Sequence, residues 1–274
     1  MIRLEHAGTA AAIDEGRGML LTSWTRRGEE LLAPARPRIE SVPRVDTLRG
    51  MALLAPWANR LPGDRYDAYG RSVDLAGLPI ERDEVGLPLH GTITGRGAWR
   101  VLEERPDRLV AALDLDADAV TAEAFPFAAR LEVAWRVDAE GIAVTTTLVA
   151  TGDHAVPACF GWHPYLALPA SSRSEVAVRL PDADSVPLGP TTVDEYRTVV
   201  ADRTAAVVGA DRTVSLSLGA GYAGLQVWMP AGEAFVCLEP MVAPVGALAH
   251  GDHPWARPEG PYAASFRLDA RGSD

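Results

Sequence analysis

Two residues in this sequence have the chemistry of an acid–base pair, His163 and Glu239. His163 lies among aromatic residues in the stretch Phe160–Tyr165, which is too irregular to predict a simple core strand. Glu239 follows the apolar run Phe235–Leu238, so we expect it to close a strand and to be partly desolvated. Desolvation disfavours the ionised carboxyl group and makes it a stronger base. Either residue alone also fits a structural role, as a buried histidine under a loop or a glutamate paired with an arginine.

Three further polar residues and one arginine are candidates for binding a ligand. Asn59 and Arg60 lie between prolines that stiffen their loop, and Asn59 is the only asparagine in the chain. His90 is followed by a glycine, which lets the backbone approach a ligand closely. Gln226 is the only glutamine. A surface turn and a structural histidine are the alternatives for the first two clusters.

The spacing His250-Gly-Asp-His253 resembles half of a metal site. Glycine and prolines surround it, which favours a loop over the helix face that would hold two ligands, so we expect no metal ion there.

The composition excludes several classes of function. Of 274 residues, 26 are basic and 37 acidic, a net charge of −11, so we expect neither nucleic acid nor an anionic membrane as a partner. All 26 basic residues are arginines, which excludes chemistry that requires lysine, such as a Schiff base or a Walker A loop. Cys159 and Cys237 are expected to be buried and unpaired. With no signal-peptide pattern at the N-terminus and no apolar run of the ~18 residues that span a bilayer, we expect a cytoplasmic protein.

Strand patterns dominate the rest of the chain and predict an all-β protein. Arg130–Val137 alternates apolar and charged residues, Gly141 follows, and Ile142–Val149 continues the pattern, so the pair predicts a β-hairpin. One short helix is predicted at Asp118–Ala124, ended by Pro126. The remaining predicted strands are Gly18–Trp24, Ser174–Leu180, Thr213–Leu218, Gly224–Met229, Ala234–Leu238 and Ala263–Leu268. Many short strands separated by turns favour a sandwich or barrel, and we expect residues 1–274 to form one domain.

Taken together, four motifs in this order resemble the aldose 1-epimerase (galactose mutarotase) family. They are Asn59-Arg60, Leu89-His90-Gly91, His163-Pro164-Tyr165 and Glu239-Pro240-Met241, with Gln226-Val227-Trp228 on the strand before the last. The resemblance implies a large antiparallel β-sandwich of the galactose mutarotase-like supersandwich type. Its sugar site would lie in a groove on one face.

The resemblance also implies roles for these residues in interconverting the anomers of a hexose such as glucose or galactose. Glu239 would be the general base and His163 the general acid, while Arg60, His90, Asn59 and Gln226 would bind the sugar. No cofactor and no metal ion is needed. The family's sugar-binding aspartate has two candidates here, Asp194 and Asp202.

Two other functions remain open at this point. A sugar-binding or regulatory protein would retain the groove without turnover. A sugar-phosphate mutarotase would need clustered arginines, and Arg60, Arg65, Arg71 and Arg96 are the candidates.

Overall fold

Antiparallel strands make up most of the protein, as seen in a computed structural model that describes residues 1–33, 49–68, 70–168, 173–181, 183, 185–199 and 202–272. In chain order the strands are β1 (Ile2–His6), β2 (Thr9–Asp14), β3 (Leu20–Arg26), β4 (Glu29–Glu30), β5 (Met51–Leu54), β6 (Arg65–Ala68), β7 (Arg71–Asp74), β8 (Arg100–Arg105), β9 (Arg108–Asp114), β10 (Ala129–Val137), β11 (Gly141–Ala150), β12 (Val156–Pro157), β13 (Gly161–Ala167), β14 (Ala177–Arg179), β15 (Val186–Pro187), β16 (Val193–Thr198), β17 (Thr204–Val208), β18 (Arg212–Leu218), β19 (Gly224–Met229), β20 (Phe235–Met241), β21 (Trp255–Ala256) and β22 (Tyr262–Gly272).

Within the described ranges, two nine-stranded sheets form a β-sandwich. The first sheet has the order β1-β2-β3-β5-β13-β20-β19-β16, with β4 paired to β3, and the second has the order β15-β14-β17-β18-β22-β11-β10-β9-β8. Two small two-stranded sheets lie outside them, the hairpin β6-β7 and the long-range pair β12-β21. The predicted all-β sandwich is therefore confirmed, and so is the hairpin of β10 and β11.

One hydrophobic core is shared by the facing sides of the two sheets. Trp162 of the first sheet and Trp135 of the second are fully buried and meet edge to face, with ring centroids 5.1 Å apart. The indole of Trp162 also donates a hydrogen bond of 2.9 Å to the hydroxyl of Thr146, which is buried on β11. A buried indole N–H needs such an acceptor, so this contact fixes the sheets relative to each other.

Helices are short. Helix α1 (Ala119–Ala124) matches the prediction: the Asp118 carboxylate accepts the Thr121 N–H at 2.8 Å as the N-cap, and the helix ends before Pro126. Helix α2 (Ala247–His250) spans one turn, and 3-10 turns occupy Glu15–Arg17, Leu115–Ala117 and Arg173–Glu175. No helix in the described part of the chain is long and apolar enough to cross a membrane.

One sequence expectation about a strand is wrong. The stretch Phe160–Tyr165 is not irregular, since Gly161–Ala167 forms the central strand β13. Pro164 is tolerated because Tyr165 donates its N–H towards β5, to the Gly50 carbonyl, so the proline nitrogen faces β20. On that side the pairing stops after Gly161 and resumes at Tyr165, where no donor from position 164 is needed.

The limits of several other strands also differ from the predicted ones: Gly18–Trp24, for example, is observed as Leu20–Arg26, and Ala263–Leu268 as Tyr262–Gly272. The predicted strand Ser174–Leu180 is reduced to Ala177–Arg179, because Arg173–Glu175 turns as a 3-10 helix. The strand predicted to end at Leu238 continues to Met241, so Glu239 lies inside a strand and does not close it.

Candidate active site

His163, Glu239 and Gln226 lie on three neighbouring strands of the first sheet, β13, β20 and β19. Their chain neighbours Trp162 and Leu238 belong to the core between the sheets. Because successive side chains of a strand point to opposite faces, the three polar side chains lie on the outer face of the first sheet. The alternation of the strands thus places them together, away from the core.

The set of polar side chains on this face extends to β16, the edge strand that pairs with β19. Gln226 is the Cα partner of Glu239 on one side and of Tyr196 on the other. Asp194 precedes Tyr196 by two residues and therefore shares its face. The Gln226 amide donates a hydrogen bond of 2.6 Å to the Asp194 carboxylate.

His163 and Glu239 form a direct pair. The imidazole Nε2 lies 3.4 Å from the carboxyl Oε1, and the two side chains are only 5% and 3% exposed. The remaining polar atoms, His163 Nδ1 and Glu239 Oε2, are buried without a hydrogen-bond partner within the described residues. The face of His163 stacks on Tyr165 at 4.5 Å between ring centroids. Aromatic packing thus holds the imidazole next to the carboxyl group.

Burial controls the protonation of this pair. It raises the pKa of Glu239 well above the ordinary 4.5, and the Asp194 carboxylate raises it further, while Arg60 opposes them. Burial lowers the pKa of His163 from 6.5 to about 3. Both shifts favour the neutral forms, a protonated Glu239 carboxyl group beside an uncharged His163 imidazole.

His90 faces the pair from a loop. Its ring lies edge-on to that of His163, with centroids 5.5 Å apart. Its Nδ1 accepts the backbone N–H of Asn59 at 3.2 Å, which places the imidazole proton on Nε2. Burial, followed by the charges of His163 and Arg60, lowers the pKa of His90 well below 6.5. His90 is therefore a neutral hydrogen-bond donor.

The loop backbone around His90 is strained. Asn59 and His90 adopt φ angles of 58° and 56°, in the left-handed region that most residues avoid. Gly91 (φ 71°) approaches the backbone of Ala55 so closely that a Cβ atom there would lie 2.1 Å from the Ala55 carbonyl oxygen. The glycine in this motif is thus required by a close approach of two loops.

Arg60 connects this loop to the outer face of the sheet. Its Nε donates to the Asp83 carboxylate at 2.7 Å, and its Nη1 lies 3.9 Å from the Asp194 carboxylate. The Asn59 side-chain oxygen accepts the Arg60 backbone N–H at 2.8 Å and is 3.3 Å from Nη1. The guanidinium therefore lies at the wall of the site with defined partners on two edges.

These groups line a pocket of about 380 Å³. The lining includes all six residues named as candidates from the sequence, His163, Glu239, Arg60, His90, Asn59 and Gln226. Leu89 and the aromatic rings of Tyr165 and Trp228 add an apolar wall, and Asp194 is present while Asp202 is not. Asp202 instead accepts the Thr204 N–H at the start of β17, in the other sheet.

The arginine cluster considered for a phosphate group does not form. Arg65 pairs with Asp74 in the β6-β7 pair, and Arg71 donates to the Pro126 carbonyl. Arg96 donates to the carbonyl of Thr92. Of the four arginines only Arg60 lines the pocket.

Three pocket residues were missed in the sequence, Arg82, Asp83 and Glu84. The signal was a run of charged residues, Glu81–Glu84, directly before the Leu-His-Gly motif. Arg82 itself pairs with Asp64 at 2.7 Å.

His250 and His253, whose spacing resembles half of a metal site, do not line the pocket. His250 ends α2, and the ring of His253 packs against Trp255 at 4.6 Å between centroids. In the described residues no group of three His, Cys, Asp or Glu side chains is arranged to hold a metal ion.

A two-layer antiparallel sandwich with a buried imidazole–carboxyl pair in a pocket on one sheet defines an all-β protein with a candidate active site. The chain belongs to the aldose 1-epimerase family, whose model matches residues 1–195. The resemblance inferred from the motifs is confirmed. A search of curated proteins finds no match.

Solved structures share the fold along nearly the whole chain, including the part with Gln226 and Glu239. The Slr1438 protein from Synechocystis is 22% identical, with a TM-score of 0.79 over 99% of this chain and 95% of its own. A galactose mutarotase-like protein from Clostridium acetobutylicum is 16% identical, with a TM-score of 0.79 over 99% and 95%. The GalM/aldose epimerase homologue from C. elegans is 13% identical, with a TM-score of 0.76 over 100% and 99%.

Proposed function

We propose that this protein is an aldose 1-epimerase that interconverts the α and β anomers of a free hexose by general acid–base ring opening. The observation that carries the proposal is the buried pair of His163 and Glu239, 3.4 Å apart in a pocket large enough for a sugar. Side chains of both sheets belong to one hydrophobic cluster, so we further propose that residues 1–274 act as a single domain.

Ring opening needs one proton removed and one added. The Glu239 carboxylate takes the proton of the anomeric hydroxyl while His163 protonates the ring oxygen, so the bond from C1 to the ring oxygen breaks and an aldehyde forms. Rotation about C1–C2 and the reverse transfers close the ring on the other face. Both oxygens are bonded to C1, so the acid and the base must be adjacent, as this pair is. Each positioned group typically contributes a factor of about 10²–10⁴ to the rate.

Without a bound sugar, His163 and Glu239 are both neutral, and the Glu239 carboxyl group holds the proton that His163 must deliver to the ring oxygen. Moving one proton from Glu239 to His163 over the 3.4 Å between them gives the carboxylate and imidazolium. Sugar hydroxyl groups entering the pocket supply hydrogen bonds to the resulting charges, including to the unpartnered Glu239 Oε2. The two groups exchange roles in the return direction.

The other polar groups bind and orient the sugar in this proposal. His90 donates from Nε2, Arg60 donates from its guanidinium, and Asp194 accepts, with Gln226 holding Asp194 in place. The Gln226 side-chain oxygen is buried and has no partner among the described groups, so it is an acceptor for a ligand hydroxyl. Tyr165 and Trp228 provide aromatic surface for the apolar C–H groups of the ring.

An uncharged sugar suits the charges of the pocket better than a sugar phosphate. Three carboxylates line it, Asp83, Glu84 and Asp194, beside the neutral Glu239 carboxyl group and the guanidinium groups of Arg60 and Arg82. Both guanidinium groups are already paired, to Asp83 and Asp64. A phosphate would enter a negative field, so hexose-6-phosphate should be a poorer substrate than hexose.

Polarimetry with freshly dissolved α-anomer tests the proposal. Wild-type protein should accelerate the approach to equilibrium rotation, and Glu239→Gln should remove the acceleration. Glu132→Gln, at a half-buried position of β10 in the other sheet, is the matched control and should retain full activity. Full activity in Glu239→Gln would refute the assignment, and calorimetric binding of sugar without acceleration by the wild type would favour a sugar-binding protein instead.

A further inference from the structure

Asp83 is a buried carboxylate beside the pocket that takes no direct part in the proposed chemistry. Its side chain is only 2% exposed, and both carboxylate oxygens accept hydrogen bonds. Oδ1 accepts the backbone N–H groups of Val85 and Leu87 at 3.1 and 2.9 Å, and Oδ2 accepts Arg60 Nε at 2.7 Å. Burial raises the pKa of Asp83, but these hydrogen bonds, that of Arg60 foremost, lower it below the ordinary value overall.

The loop that carries Asp83 is closed on itself. The backbone N–H of Asp83 donates to the Leu87 carbonyl at 3.0 Å, and the backbone carbonyl of Asp83 accepts the Gly86 N–H at 3.0 Å. The chain then runs directly into Leu89, which bridges to the backbone of Arg60, and into His90. One tight loop thus presents a carboxylate to Arg60 and an imidazole to the pocket.

The contact with Asp83 determines which edge of Arg60 remains for the pocket. Nε is occupied by Asp83, and Nη1 lies between Asn59 Oδ1 at 3.3 Å and Asp194 Oδ2 at 3.9 Å. The Arg60 side chain is 34% exposed and the Asp194 side chain 43% exposed, so neither is held by packing alone. Without Asp83, the free Arg60 would be drawn to the carboxylate of Asp194 and would occupy the groups that the sugar needs.

We propose that Asp83 is a positioning residue that holds the Arg60 guanidinium at the pocket wall and so leaves Arg60 and Asp194 available for the sugar. The proposal rests on the proposed function, in which both residues contact the substrate. Asp83 itself acts through Arg60. Its loss should weaken sugar binding more than it slows the chemical step.

The variant Asp83→Asn tests this with little change of shape. The amide oxygen can still accept the N–H groups of Val85 and Leu87. The NH₂ group, however, would face the Arg60 Nε–H, and because both groups are donors this hydrogen bond is lost. Asp138, between β10 and β11 of the other sheet and not in the pocket lining, provides a matched control. Its carboxylate likewise holds a turn, through the N–H groups of Glu140 and Gly141, and pairs with Arg267. Asp138→Asn should lower thermal stability and leave the kinetics unchanged.

A double-mutant cycle with Arg60→Ala separates positioning from a structural effect. We expect Asp83→Asn to raise KM about tenfold, with kcat changed less than about twofold, because a charge-assisted contact to the substrate is lost. In the Arg60→Ala background the same change should alter KM less than about twofold. An equal effect with and without Arg60, or no effect at all, overturns the proposal.

The same double-mutant cycle can be measured on sugar affinity, which does not depend on turnover, by following the fluorescence of Trp228 in the pocket. A wild-type protein that binds sugar but does not turn it over would refute the proposed function and leave this test intact. If Asp83→Asn does not fold, hydrogen exchange of the arginine Nε–H groups in the wild type replaces it. Arg60 Nε–H should exchange much more slowly than that of Arg65, which pairs with an exposed carboxylate. Equal exchange rates would overturn the proposal.

Discussion

Replacing either member of the buried pair should change the pH dependence of stability, and in opposite directions. Glu239 keeps its proton in the folded protein at pH values where the unfolded chain, with the ordinary pKa of 4.5, has released it. The folded state therefore becomes less favourable as the pH rises above 4.5. His163, with its pKa lowered to about 3, stays neutral in the folded protein where the unfolded chain, with a pKa of 6.5, binds a proton. That makes the folded state less favourable as the pH falls below 6.5.

Each contribution amounts to about 1.4 kcal/mol per pH unit within its window. Between pH 4.5 and 6.5 the two slopes cancel in the wild type, because folding takes up one proton at Glu239 and releases one at His163. Glu239→Gln removes one of them, so its stability relative to the wild type should rise with pH above 4.5, by about 1.4 kcal/mol for each pH unit over which the folded wild type keeps the Glu239 proton. His163→Gln should gain a similar amount per pH unit relative to the wild type from pH 6.5 down to pH 4.5.

Urea unfolding followed by tryptophan fluorescence at several pH values measures these differences, and other titrating groups cancel between variant and wild type. A difference between Glu239→Gln and the wild type that stays constant from pH 5 to pH 7 would refute the reasoning. It would show that Glu239 is ionised in the folded protein and that the empty pair is charged.

Three further outcomes follow from the same contacts. The pH profile of kcat/KM should be bell-shaped, since the reaction needs the pair of His163 and Glu239 with one mobile proton, and a profile without an acid limb would contradict this. Asp194→Asn should raise KM for hexoses at least about fivefold, because it removes a charged acceptor from the pocket, whereas Asp202→Asn should not change it; steady-state polarimetry compares them. Gly91→Ala should lower the free energy of unfolding by at least about 2 kcal/mol in urea titrations, because its Cβ would meet the Ala55 carbonyl oxygen. Gly28→Ala, also at positive φ but in open space, should cost clearly less, and equal losses would contradict the steric account.

Local patterns were sufficient to predict much of the fold. Alternation in Arg130–Val137 and the turn after it predicted the hairpin of β10 and β11, because a half-buried strand needs apolar residues at every second position. Asp118 and Pro126 bounded helix α1 for equally local reasons. The stretch Phe160–Tyr165 escaped prediction because glycine and proline suggest a loop. The gap in pairing to β20 that accommodates Pro164 is a property of the sheet, which the local sequence does not encode.

Site residues that belong to a sequence motif were predictable. Site residues whose role depends on contacts between distant segments were not. His163 and Glu239 are 76 positions apart and meet only through the register of β13 and β20. Two candidates for the sugar-binding aspartate looked alike in sequence, but the pairing of β16 with β19 places Asp194 beside Gln226. Asp83 was missed because its role depends on Arg60, 23 positions away. Such contacts follow from loop closure, which residue types alone do not reveal.

Exchange NMR between the two anomers of glucose and of galactose tests the central claim most directly. Exchange cross-peaks between α and β anomeric protons should appear with catalytic amounts of the wild type for at least one of these sugars. They should disappear with Glu239→Gln and persist with Glu132→Gln. Exchange with the wild type no faster than in buffer alone, for both sugars, would contradict the assignment of His163 and Glu239 as an epimerising acid–base pair.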